Sequence, residues 1–273
     1  MSTNPVNRID ATLAAQPSGL WPFIPAGYPS VAFTASLLRG LESLPIRGVE
    51  IGFPFSDPIA DGPVIQASMS YALDRGIKPS AILNMVAQQR ARLKMGLVAM
   101  VSYSIVHRMD SGAFLRDCKA AGIDGVIIPD LPVEESATVR DQVTKADLVC
   151  SFLIAPTTPI ARAETIARAC TGFVYVLSRA GITGERTELP ADLPEHIRRL
   201  RGVTDLPIAV GFGVSSAEQV AQVVSVADAA IVGSAIMRRV AQQRERGADA
   251  VVTSVADFVA GLAQGLNGTA VVR

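Results

Sequence analysis

An excess of charge of either sign is the first thing this chain lacks: its 273 residues hold 25 Lys plus Arg against 25 Asp plus Glu. Without a net field, nothing marks a nucleic-acid or anionic-membrane surface. Cysteine and histidine are also scarce. Cys118, Cys150 and Cys170 form no C-x-x-C pair, and His107 and His196 lie far apart, so neither a disulfide framework nor a metal site is expected. The opening "MSTNPVNRIDATLAAQPSG" has no continuous apolar stretch like a signal peptide, and no later run reaches the roughly 18 residues of a membrane span. A cytoplasmic protein without membrane contact is therefore expected. No composition shift or Pro/Ser-rich linker interrupts the chain, which predicts one domain over residues 1–273.

What is present is apolar and regularly spaced. Hydrophobic residues make up 49% of the chain and charged residues 18%, enough for one sizeable core. Eight strand-length apolar runs recur: "LWPFIPAG", "GVEIGFP", "GLVAMVS", "DGVIIPD", "DLVCSFLIA", "GFVYVLS", "PIAVGFG" and "DAAIVGS". Segments of helical period such as "PSAILNMVAQQRARL" and "SSAEQVAQVVSV" separate them. The strand runs show little alternation, so both faces of the sheet should be buried. An α/β fold of the (β/α)8 TIM-barrel type follows, with the barrel proper at about 20–240, a lead-in before it and a C-terminal helix after it. An open doubly wound sheet usually announces itself with G-x-G-x-x-G after its first strand, and the first run here ends "AGYPS".

Within "GVEIGFP", Glu50 is a lone carboxylate among apolar neighbours. Two readings fit it. It is either tied to a basic residue from elsewhere, or it is an acid/base whose proton affinity burial raises toward neutrality. Asp61 follows after the Pro-, Asp- and Gly-dense loop "PFSDPIADGP" and can meet Glu50 only if that loop folds back over the barrel mouth. Ahead of Gly62 and Pro63 it is equally suited to capping a helix, and Asp57 before Pro58 to a turn.

At the other end of the chain, "SRAGITGERT", "VGFGVSS" and "VGSAI" bring glycines to the ends of the sixth, seventh and eighth runs. Barrels bind phosphate there through backbone N–H groups that glycine leaves accessible. Gly184, Gly213, Gly233 and Ser234 are the candidate ligands. The residues thus describe a barrel enzyme acting on a phosphorylated small molecule by carboxylate chemistry without a metal.

The block "EIGFPFSDPIADGPVIQ", followed in order by "GVIIPDLPVEES", "YVLSRAGITG", "AVGFGVSSAEQV" and "IVGSAI", resembles the tryptophan synthase alpha chain family from about Leu20 to Met237. The resemblance implies retro-aldol cleavage of indole-3-glycerol phosphate to indole and glyceraldehyde 3-phosphate without a cofactor on this chain. Glu50 then matches the acid/base at indole C3 and the side-chain hydroxyl, and Asp61 the acceptor of the indole N–H. Phe23 and Tyr175 match aromatics beside the substrate, Thr183 a residue of a closing loop, and Asp57 an acid that signals to the partner. That partner is a beta chain carrying pyridoxal phosphate in an α2β2 heterotetramer.

Three stretches depart from the family pattern. Ser102, Tyr103, Ser104 and Ile105 replace a usual Tyr-x-Asn-Pro run, "PIRG" stands before the second strand, and Ala229 stands where Gly is common. A free-standing indole-3-glycerol phosphate lyase and a catalytically silent regulatory barrel are the alternatives.

Overall fold

The computed structural model describes residues 7–15, 18–57, 61–178, 190–211 and 213–267. Its strands are β1 (Gly19–Pro25), β2 (Gly48–Gly52), β3 (Gly96–Met100), β4 (Gly125–Ile127), β5 (Val149–Ser151), β6 (Leu153–Ile154), β7 (Val174–Leu177), β8 (Ile208–Gly211) and β9 (Ala229–Val232). They form one sheet in the order β5-β4-β3-β2-β1-β9-β8-β7-β6, and every pairing is parallel.

The two ends of that order, β5 and β6, are halves of the single run "DLVCSFLIA" and are separated only by Phe152. The sheet therefore closes on itself as the expected barrel, with a fifth stave broken in two. The break has a local cause. The Phe152 N–H donates to Cys170 Sγ at 3.2 Å, while its carbonyl accepts from Tyr175 N–H at 3.2 Å.

Burial on both faces explains the near-continuous apolar runs. Every residue of β1, β2, β8 and β9 is buried, one face inside the barrel and the other under helices. Val31–Leu41 supplies a typical helical stripe, with Phe33, Leu37, Leu38 and Leu41 buried and the Ser30 side chain accepting from Phe33 N–H at its start. Pro63–Asp74 and Pro79–Arg90 both lie between β2 and β3 and each begins on proline, which fixes φ where an N–H would go unused. Among the described residues, Ala248–Leu266 is long and apolar enough to cross a bilayer. Its Val251, Val255, Val259 and Leu262 are nevertheless buried in the protein.

The N-terminal end of the barrel is sealed. The lead-in forms the helix Arg8–Ala15, whose Ile9 is fully buried. The departing "PIRG" segment acts here: Arg47, 6% exposed, donates to the Ser18 carbonyl from Nε (3.0 Å) and Nη2 (2.7 Å) and to the Thr12 carbonyl from Nη1 (3.0 Å). Gly19 makes this possible, since a Cβ there would lie 2.0 Å from Arg47 Cγ. Asp124 ties the same end together, accepting from Arg8 at 2.9 Å and from Leu97 N–H at 2.9 Å. Among the described residues, the C-terminal ends of the strands open onto a cavity.

Candidate active site

β2 carries Glu50 into the barrel, level with Phe23 on one side and Val98 on the other. Its exposure is 0%, and among the described residues neither carboxyl oxygen has a hydrogen-bond partner. Among the described residues no basic side chain is paired with Glu50. Burial first, and the nearby Asp61 carboxylate second, push its pKa well above the ordinary range.

Asp61 precedes the helix Pro63–Asp74, whose cap position is Gly62 and makes no side-chain capping bond. The Asp61 backbone carbonyl accepts from Gln66 Nε2 at 2.7 Å, and burial raises its carboxyl from 3.8 to about 6. Two carboxyls placed together, each with its proton affinity raised by burial, suit acid/base chemistry at neutral pH.

Tyr175 lies on β7, the stave opposite β2. Its phenol is buried and held well above its ordinary pKa, by burial first and then by the charges of Glu50 and Asp61. The three side chains therefore form one electrostatic cluster across the barrel. Phe23 occupies a slot cut by two glycines: a Cβ on Gly52 would lie 2.8 Å from its Cζ, and one on Gly233 2.8 Å from its Cδ1.

A cavity of about 290 Å³ opens at the strand C-termini and is walled by Phe23, Asp57, Asp61, Tyr175, Gly213, Gly233 and Ser234. Glu50 is just behind this wall rather than on it. Gly213, at φ 88°, follows β8 in the left-handed region that favours glycine. Gly233 and Ser234 begin the ten-residue helix Ser234–Gln243, whose first amides have no partner within the helix. Asp57 is exposed and accepts from Ser56 Oγ at 2.7 Å. Thr183 and Gly184 lie outside the described residues.

Sequence reasoning passed over one part of the wall. Asp130, at the end of "DGVIIPD", lines the cavity beside Ser102 and accepts from the Ser102 hydroxyl and the Tyr103 N–H, both at 2.7 Å. A polar residue closing the fourth apolar run was the available signal. Among the described residues no three His, Cys, Asp or Glu side chains are grouped to hold a metal ion. The cysteines are buried, with thiols pushed up by burial, Cys150 to about 12 and Cys170 to about 11.

The family described as "Tryptophan synthase alpha chain" matches residues 10–266. The alpha chain of Rippkaea orientalis is 42% identical over 224 residues, 82% of this chain and 84% of that one. The alpha chain of Thermosynechococcus vestitus is 39% identical over 261 residues, covering 95% and 96%. Among solved structures, tryptophan synthase subunit alpha of Legionella pneumophila superimposes with a TM-score of 0.87 at 32% identity, covering 96% of this chain and 99% of that one. A chain of the Pyrococcus furiosus tryptophan synthase complex gives 0.82 at 32% identity, covering 90% and 98%.

Proposed function

This chain belongs to the tryptophan synthase alpha chain family, and from that premise we infer that it is a carbon–carbon lyase cleaving indole-3-glycerol phosphate to indole and glyceraldehyde 3-phosphate. The observation that carries this reading is the fully buried Glu50, without a hydrogen-bond partner among the described residues, beside Asp61, at a cavity whose β8–β9 side is a glycine-lined helix start.

The proton balance suits the two carboxyls. Glu50, whose pKa burial raises well above the ordinary carboxylate range, gives its proton to indole C3. The ring becomes an indolenine cation and draws electrons from the bond to the glycerol side chain. That bond breaks as the adjacent hydroxyl becomes an aldehyde, and the hydroxyl proton returns to Glu50. One proton enters and one leaves, so a single carboxyl serves as acid and then base. No hydrogen bond holds Glu50 among the described residues, which leaves its side chain free to rotate toward a ligand. Asp61, half-ionised at about pH 6, accepts the ring N–H and offsets the positive charge. Phe23 and Tyr175 flank the ring. Gly213, Gly233 and Ser234 hold the phosphate, with Thr183 and Gly184 added on the family motif alone.

The same reading takes the chain as one cytoplasmic barrel domain that needs no cofactor of its own. Its partner is a beta chain bearing pyridoxal phosphate in an α2β2 assembly, with Asp57 coupling the two. Indole release measured with and without an added beta chain tests it. Slow release that the beta chain accelerates is expected. Full activity without a partner makes the chain a free-standing lyase, and no indole under either condition makes it a silent barrel.

A further inference from the structure

In the closed barrel each stave faces the one four places away, so β3 lies opposite β8 and β4 opposite β9. The cradle residues that follow β8 and β9 therefore face Ser102 and Asp130, which follow β3 and β4, across one cavity. A ligand with its phosphate at the cradle presents its other end to these two residues. Their surroundings on that wall, Met100, Val101, Pro129 and Leu153, are apolar.

Ser102 has little left to offer a ligand. Its hydroxyl donates to Asp130 Oδ2 at 2.7 Å, and its oxygen lies 3.0 Å from Ser104 Oγ and accepts from Ser104 N–H at 3.2 Å. Asp130 is different. An ionised carboxylate has about four acceptor sites, and Ser102 and the Tyr103 N–H occupy two of them. Among the described residues no ion pair includes Asp130.

Two consequences follow from a fixed carboxylate that is exposed at the cavity mouth beside an apolar wall and has no ion-pair partner among the described residues. It repels a phosphate, so it enforces the orientation that the cradle favours. It also loses water when a ring is pressed against it. A donor on the ring replaces that water, whereas a methyl group of similar size leaves the carboxylate unsatisfied.

We propose that Asp130, held in place by Ser102, is a specificity-determining residue at the aryl end of the cavity, favouring indole substrates that carry a hydrogen-bond donor on the benzo ring. This rests on the reading of the site as one that handles indole-3-glycerol phosphate. The reverse condensation tests it: indole C3 attacks the aldehyde carbon of glyceraldehyde 3-phosphate, C3 loses its proton and the aldehyde oxygen gains one. The full-length chain, with beta chain omitted so that indole is not consumed, is given indole and the 4-, 5-, 6- and 7-hydroxy and methyl indoles. At one ring position at least, kcat/KM for the hydroxyindole should exceed that for the methylindole by about ten-fold or more, the least expected of a hydrogen bond to a charged group. Asp130→Asn should bring that ratio toward one. If Asn prevents folding, Asp130→Glu, which keeps the charge but moves it by one methylene, should change the preferred ring position. Hydroxy-to-methyl ratios near one at every position in the unaltered chain overturn the inference, as does a preference that these variants leave unchanged. Failure to condense unsubstituted indole overturns the functional reading itself, and the inference with it.

Discussion

Replacing Asp61 by Asn should stabilise the isolated chain at neutral and alkaline pH and have little effect in acid. Burial raises the Asp61 carboxyl from 3.8 to about 6, so the folded chain binds this proton more tightly than the unfolded chain does. Below pH 3.8 both states are protonated and the group is neutral in each. As pH rises through about 6 the folded state must ionise a carboxyl that the unfolded chain ionised earlier, and stability falls. At about 1.36 kcal/mol per tenfold change in proton affinity, the full loss is about 3 kcal/mol, or about 2 kcal/mol once partial exposure to water is allowed for. Asn keeps the shape and removes the titration. It also removes the charge that helps raise the Glu50 pKa, which acts in the same direction. For a chain of this size the difference amounts to roughly 3–5 °C in Tm at pH 8. The assay is urea unfolding at pH 4, 6 and 8. Trp21, the single tryptophan, is fully buried with its ring centroid 5.1 Å from that of Phe173 and serves as the fluorescent probe. If the stability gap between Asp61→Asn and the unaltered chain is the same at all three pH values, Asp61 has no raised pKa and the account of the carboxyl pair is wrong.

Glu50→Gln should lower indole formation by on the order of 10²-fold or more, because the amide neither donates the C3 proton nor recovers the hydroxyl proton; near-normal turnover in a stopped assay would remove Glu50 from the chemistry. Gly213→Leu combines a side chain in the cradle with strain at φ 88°, and should raise KM by on the order of ten-fold or more. An unchanged KM would move the phosphate to another part of the mouth. Asp57→Ala should remove most of the stimulation that an added beta chain gives, and stimulation equal to that of the unaltered chain would assign the coupling to another residue.

By itself the sequence determined the barrel and most of the residues at its mouth. Apolar runs without alternation require strands buried on both faces, and their regular return between helical segments requires parallel neighbours. Once the runs are strands, the residues at their C-terminal ends are known, which is why Gly213, Gly233 and Ser234 were legible from pattern, while Phe23 and Tyr175 were legible only through the family resemblance; all five line one cavity. Position along a strand is a local property. What faces what across the barrel is not, because it depends on closure and register between staves distant in sequence. Only the tertiary structure broke the fifth run at Phe152, through a backbone bond to Cys170. Closure also folded the lead-in onto Arg47, and it set Asp61 near enough to Glu50 for the charge of Asp61 to help raise the Glu50 pKa. The Ser102–Asp130 pair is the clearest case. Its members are 28 residues apart, each is unremarkable in its own segment, and they meet because β3 and β4 lie side by side and end at the same height above the cavity.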